Sequence, residues 1–347
     1  MAFKVGVVGA GGAGRLLHLP ALRELGDVEV VALCDARRER AEEVAKAFGV
    51  PGVFTDYRDL LREELDMVTI GLPNFLHAEV ACAALEAGRH VVVEKPLAES
   101  MASARRMVEC AERTGRHLFM AVQNRHRARV RMLRQMVLSG RMGEVYHIQC
   151  SILRRRGYPG MGSWFTNKEL SGGGCLLDIG VHVLDMAWYI AAEPRPLRAV
   201  GMTYAKFGHL ERKPSNFGDY DPEGVVDVDD FAAGFIVFEG GLSLALTVSW
   251  AMNNQQSGFQ IRVFGTKAGA SYDPFVIYSE DGGVVTDTTP LVRDDFSAYA
   301  AEFRHYVRVC QGKEEPCITP RAALTVQAML EALYKSSEEG REVPVEP

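Results

Sequence analysis

Basic charge is in short supply: 39 Lys and Arg stand against 45 Asp and Glu in 347 residues, for a net charge of -6. A nucleic-acid binder concentrates the opposite excess, so nucleic acid is not an expected partner. No apolar run approaches the roughly 18 residues of a membrane-spanning helix, and Gly interrupts the longest strand-like runs, so no membrane is expected either. The seven cysteines (Cys34, Cys82, Cys110, Cys150, Cys175, Cys310 and Cys317) are odd in number, scattered and never spaced C-x-x-C. They read as small buried hydrophobes in a reducing, cytoplasmic setting. No basic segment precedes an apolar one at the start, so no export signal is expected. Nothing repeats at a fixed period. What is there, 47% hydrophobic and 24% charged residues, is the composition of a soluble globular protein. At about 150 residues per domain the length allows two cores.

The first third alternates short β-branched runs with helical patterns, the sequence form of a parallel sheet covered by helices. Strands are expected at Lys4–Val8, Val28–Cys34, Met67–Ile70, His90–Val93 and His117–Ala121. Helices are expected at Ala36–Phe48, Asn74–Ala87 and Ser100–Thr114, where apolar residues recur three and four apart. This predicts an α/β chain with a doubly wound Rossmann domain at 1–123. A second domain at 124–347 is expected to be α+β, with a large open, mostly antiparallel sheet. In it Leu242, Leu244, Leu246, Val248 and Trp250 alternate with Ser243, Ala245, Thr247 and Ser249. One face is bulky and should pack on helices; the other is small and nearly flat, either solvent surface or subunit contact. Helices follow at Phe296–Cys310 and Arg321–Lys335.

Gly9, Ala10, Gly11, Gly12, Ala13 and Gly14 directly follow the first strand and open a helix, the context that gives a G-x-G-x-x-G pattern its meaning. Gly9 permits the tight turn, Gly11 lets the main chain approach a pyrophosphate, and Gly14 lets helix and strand pack closely. Asp35 closes the second strand, where a carboxylate accepts ribose hydroxyls, which favours NAD over NADP. Arg37 and Arg38 soften that preference, so NADP is not excluded. Glu94-Lys95-Pro96 follows the strand His90–Val93, at the end of a parallel sheet where ligands bind. Lys95 is there either as a donor to a substrate oxygen or as a solvated turn lysine.

A glycine run, read as flexible, precedes a helix on which Asp178 and His182 lie four apart and His182 and Asp185 three apart, so that all three share one face. Imidazole beside a carboxylate is the minimal general-base arrangement. Asp178 is equally suited to a helix N-terminus, and Asp/His/Asp to a metal. No further His/Glu cluster completes a metal shell, so no metal is expected. Between Arg154 and Lys168, Tyr158 and Trp164 suit stacking on a pyranose, with Arg154 and Arg156 donating to its hydroxyls. The alternative is a core tryptophan on a glycine-rich loop beside a solvated basic strand. His18 and His77, each in the first turns of a Rossmann helix, are structural or border a cofactor.

Taken together, Gly9–Gly14, Asp35, Glu94-Lys95-Pro96 and Gly174–His182, in that order, resemble the glucose-fructose oxidoreductase and inositol dehydrogenase family (Gfo/Idh/MocA) across nearly the whole chain. The resemblance implies an NAD(P)-dependent oxidoreductase acting on a secondary hydroxyl of a pyranose sugar, glycoside or cyclitol. Lys95 would be its catalytic lysine, Asp178 the substrate-orienting aspartate and His182 the general base. Leu72, Pro73, Asn74 and His77 look like the loop bordering the cofactor, joined by Glu94 and Gln123. Arg125, in the polar stretch Gln123-Asn124-Arg125, is similar to the family's domain junction and is expected at the substrate. The same scaffold is open to an NAD-retaining enzyme that cleaves glycosides through a transient keto-sugar, and to a non-catalytic cofactor sensor. Family tendency implies a homodimer or homotetramer through the open sheet.

Overall fold

The first strand, Phe3–Val8 (β1), is buried over nearly its whole length, as a central parallel strand must be. In a computed structural model, which describes residues 2–347 except 211, 212, 216 and 256, the chain forms two compact units. The first unit comprises Met1–Gln123, Glu169–Gly172 and Phe296–Leu324, the second Asn124–Lys168, Gly173–Asp295 and Thr325–Pro347.

In the first unit β1 is joined by Val28–Cys34 (β2), Gly52–Phe54 (β3), Met67–Ile70 (β4), His90–Val93 (β5) and Leu118–Met120 (β6). They form one parallel sheet of order β3-β2-β1-β4-β5-β6. The order reverses between β1 and β4, which opens a crevice at the carboxyl ends of those strands. Helices Arg38–Phe48, Asn74–Glu86 and Met101–Thr114 connect the strands. Ser100 caps the last of these, its Oγ accepting the Ser103 N–H at 3.2 Å.

A single cut after residue 123 does not describe the units, because helix Ala298–Cys310 belongs to the first. The reason is edge protection. Beyond β6, the Glu302 carboxylate accepts the Val122 N–H, Tyr306 donates its hydroxyl to the Met120 carbonyl at 3.0 Å, and the Tyr306 ring stacks on Phe119 at 4.3 Å.

The second unit carries a nine-stranded mixed sheet. Its strands are Val145–Leu153 (β7), Pro196–Tyr204 (β8), Phe231–Phe238 (β9), Ser243–Ser249 (β10), Gly258–Gly265 (β11), Ala268–Ser271 (β12), Val276–Asp281 (β13), Val284–Thr288 (β14) and Val343–Pro344 (β15). The order is β14-β13-β12-β11-β7-β10-β9-β8-β15, with only β7 and β10 parallel. Leu242, Leu244, Leu246, Val248 and Trp250 are all buried, as their alternation requires.

The opposite face is flat and small only along β10. Register puts Phe235 between Val200 and Ala245, and Ala233 between Met202 and Thr247. Val200, Met202, Tyr204 and Phe235 are exposed, so the face is more apolar than one strand suggested. The stretch Lys168–Ile190 is long and apolar enough for a membrane span by length and composition alone, but 78% of its most apolar 18 residues are buried inside the protein, as in a core helix.

Candidate functional site

In the first unit the turn after β1 is built by close approach. Gly9 has φ +103°, and a Cβ on Gly14 would lie 1.9 Å from the Gly9 carbonyl oxygen, so only glycine lets the helix start against the strand. On the outer side, a Cβ on Gly11 would meet nothing nearer than the Arg40 guanidinium at 3.7 Å, which is the open approach a pyrophosphate needs. Gly12 and Ala13 form the first helical residues, and a π-helical turn spans Gly14–His18.

Asp35 is nearly buried, and both its oxygens are oriented by main chain: Oδ2 accepts the Ala10 N–H at 3.0 Å and Oδ1 the Arg37 N–H at 2.9 Å. Arg40 stands 3.8 Å from Oδ2. This carboxylate is held rigid beside the glycine turn, as the adenosine ribose of a dinucleotide requires. The residues present therefore fit NAD.

Glu94-Lys95-Pro96 leaves the end of β5 with a cis Lys95–Pro96 bond. The Lys95 N–H donates to Glu94 Oε2 at 3.2 Å, and Glu94 Oε1 lies 3.0 Å from His18 Nε2. His18, fully buried, is hydrogen-bonded through Nδ1 to Thr69 Oγ1 at 2.7 Å. His77 is also fully buried, with ring nitrogens 2.9 Å from the Leu72 carbonyl and 3.1 Å from the Pro96 carbonyl. Burial pushes its pKa down, and the neutral ring donates its one N–H to one of these two carbonyls while packing between the Leu72-Pro73-Asn74 loop and the lysine turn. Asn74 donates to the Ser171 carbonyl at 2.7 Å and Gln123 to the Tyr299 hydroxyl at 3.1 Å. In this unit the loop residues brace one another.

In the second unit, residues 175–190 are buried except Asp178, His182 and Tyr189, which are half-buried. The two candidate groups thus emerge four apart from an otherwise closed helix, which opens with a π-helical turn at Leu176–Gly180, a feature frequent at functional sites. Asp178 Oδ2 accepts the Trp250 indole N–H at 3.0 Å. The preceding glycines are not flexible. A Cβ on Gly174 would sit 1.9 Å from the Asp229 carbonyl oxygen, and the Asp229 carboxylate accepts the Gly174 and Leu176 N–H groups at 2.7 and 2.9 Å.

Asp185 does not share the role of Asp178 and His182. It is buried with Arg125, whose Nε lies 3.0 Å from both carboxylate oxygens and whose Nη2 lies 2.6 Å from Oδ1. Arg125 Nη1 reaches Glu193 at 2.7 Å, and the guanidinium lies 4.7 Å from the centre of the Tyr189 ring. Arg125 was expected at the substrate; as a buried structural cation with its fork committed, it is not offered to one.

Tyr158 is likewise buried, donating to Asp230 Oδ2 at 2.8 Å and leaning on Trp250, so its ring is a packing element rather than a stacking platform. Arg154 donates to the Gly157 carbonyl at 3.0 Å, and Arg156 to the Met252 carbonyl and Asn253, both at 3.0 Å. These two hold their own loop. Trp164 stays half-buried, stacked on Phe165 at 3.8 Å. Sequence reasoning missed Trp250 and Asp229. Trp250 ends the bulky alternation, and an indole N–H needs an acceptor when buried, the one signal available.

Comparison with known proteins follows this division. Residues 3–122 match the oxidoreductase family with an NAD-binding Rossmann fold, and residues 130–271 the GFO/IDH/MocA C-terminal domain. The chain is 34% identical to D-glucoside 3-dehydrogenase of Escherichia coli K12 over 98% of its own length and 97% of that protein. It is 29% identical to glucose-6-phosphate 3-dehydrogenase of Bacillus subtilis over 87% of its length and 85% of that protein. Levoglucosan dehydrogenase, solved with NADH and levoglucosan, shares the fold at a TM-score of 0.87 and 20% identity, covering 100% of both chains.

Proposed function

The chain belongs to the GFO/IDH/MocA oxidoreductases, with an NAD-binding Rossmann domain, and from that premise we propose that it oxidises the C3 hydroxyl of a glucoside or related pyranose. The carbon is taken from the names of the two 3-dehydrogenase relatives. NAD supplies the hydride acceptor. His182 takes the hydroxyl proton as general base, and Asp178 orients the imidazole and stabilises its charged form. Lys95 serves as a donor to a substrate oxygen as it becomes a carbonyl. The half-buried Trp164 offers its ring to the apolar face of the sugar. Asp35 disfavours the extra phosphate of NADP.

The observation that carries this reading is the emergence of Asp178 and His182, one helical turn apart, from a helix that is otherwise nearly closed. A panel of glucosides, free and phosphorylated sugars and inositols with NAD⁺ and NADP⁺, followed by reduced-nicotinamide absorbance, tests it. Turnover of a glucoside with 3-keto product is expected. Lys95→Ala and His182→Ala should each lose at least about a hundredfold in kcat while still binding NAD. Near-native turnover in either variant removes that residue from the mechanism.

The apolar face formed by Val200, Met202, Tyr204 and Phe235 supports self-association through the open sheet. Met202→Glu with Phe235→Glu should lower the mass seen by light scattering, and an unchanged mass moves the interface elsewhere.

A further inference from the structure

Two consecutive aspartates occupy the turn before β9, and each grips a different part of the second unit. Asp229 holds the start of the Asp178/His182 helix: Oδ1 accepts the Gly174 N–H and the Tyr334 hydroxyl, both at 2.7 Å, and Oδ2 accepts the Leu176 N–H at 2.9 Å. The Cys175 thiol donates to Oδ2 at 3.2 Å, and the Asp229 carbonyl takes the Cys175 N–H at 2.9 Å. A carboxylate on the first N–H groups of a helix satisfies donors that have no partner within it and complements their partial positive charge.

Asp230 holds the residue that follows β10. Its carbonyl accepts the Trp250 N–H at 2.8 Å, and its Oδ2 accepts the Tyr158 hydroxyl at 2.8 Å and the Lys206 and Phe207 N–H groups, each at 2.6 Å. The Tyr158 ring lies 5.4 Å from Trp250, at 53° to it. Trp250 is wholly buried, so its indole cannot swing to solvent, and its single polar atom is spent on Asp178 at 3.0 Å.

We propose that Trp250 is a positioning residue for Asp178, held in register with the Asp178/His182 helix by the Asp229-Asp230 pair. The inference rests on the reading of Asp178 as part of the catalytic machinery. A carboxylate on a helix has rotational freedom about its terminal bond. One rigid donor on Oδ2 removes that freedom and sets the direction in which Oδ1 meets its own partners. Trp250 does this without touching substrate, and so acts on kcat through Asp178 alone.

Trp250→Phe deletes the N–H and keeps most of the packing. Turnover should fall on the order of 10- to 100-fold, the worth of a hydrogen bond to a charged group, with NAD affinity retained, while the cavity left by the smaller ring lowers the unfolding midpoint whether or not Asp178 is present. On an Asp178→Ala background the same change should cost less than about twofold, because the partner is already gone. Wild-type turnover in Trp250→Phe, or an undiminished loss on the Asp178→Ala background, overturns the proposal. Wild-type turnover in Asp178→Ala overturns the reading of the site together with it, so the two failures are distinguishable.

If Trp250→Phe does not fold, the indole ¹⁵N–¹H spectrum decides, since the chain has only 3 Trp. Asp178→Ala should move one of those signals far upfield and leave the others in place. Three unmoved signals overturn the proposal.

Discussion

Replacing Arg125 with Met separates a structural cation from a substrate contact, because the two roles predict opposite observables. Arg125 and Asp185 are each 1% exposed, and the Asp185 carboxylate takes three short contacts from one guanidinium. Methionine fills similar volume but leaves a buried carboxylate without its counter-charge. Breaking one half of such a pair costs about 3–5 kcal/mol. At roughly 2–4 °C per kcal/mol, the transition of the second unit should fall by about 10 °C.

The pH dependence gives the sharper test. Burial already holds the Asp185 pKa above its ordinary value, against the lowering pull of Arg125. Losing the guanidinium removes that pull, so the native pKa rises further. A carboxyl whose native pKa lies above its unfolded one contributes most stability when protonated, below the unfolded value, and loses that contribution as pH rises through the native pKa. The destabilisation of Arg125→Met should therefore be full near neutral pH and shrink as Asp185 takes up a proton on the way to about pH 4. Adding Asp185→Leu should restore the midpoint at neutral pH to within about 1–2 kcal/mol, since a matched apolar pair is often as stable as a buried ionic one. Urea unfolding followed by tryptophan fluorescence at several pH values measures all of this. A neutral-pH midpoint equal to wild type, with a raised KM for the sugar, would refute the structural role and return Arg125 to the substrate.

Asp35→Ser removes the charge that opposes a 2′-phosphate while Arg37 and Arg40 remain beside the site. The ratio of kcat/KM for NADP⁺ over NAD⁺ should rise roughly ten- to a hundredfold, and an unmoved ratio places the discriminating group elsewhere. Gly174→Ala sets a Cβ 1.9 Å from the Asp229 carbonyl oxygen, so helix or turn must shift. A loss of about 1–3 kcal/mol with a larger fall in kcat than in NAD affinity is expected, and full activity would show that the turn yields freely. Tyr158→Phe deletes one of three donors to Asp230 Oδ2. Stability should drop by about 1–2 kcal/mol with KM for the sugar unchanged; a raised KM at unchanged stability would make Tyr158 a sugar contact after all.

The parts of this protein that are legible in sequence are those written in contiguous residues. Strands β4 and β5 begin and end where their apolar runs do, because a strand covered on both faces has no polar alternation to blur its ends. Strand β3 has only 3 residues, all half-buried at the sheet edge, too few to show any period, and it went unread. The glycine turn and the Asp178/His182 spacing were visible for the same reason as the strands: each is a local geometric demand on neighbouring residues.

What decides the role of a charged or aromatic side chain is its partner across the fold, and that partner is remote. Arg125 and Asp185 are separated by 60 positions, and Trp250 and Asp178 by 72. Spacing on the helix put Asp185 beside His182, yet an arginine from another helix claimed it. Spacing on a glycine-rich loop offered Tyr158 to a sugar, yet the Asp229-Asp230 turn claimed its hydroxyl. The same turn holds the Asp178/His182 helix and Trp250, so the residues that escaped sequence reading are the ones that fix the direction of those that did not. Substitutions in such supports should lower turnover without abolishing cofactor binding.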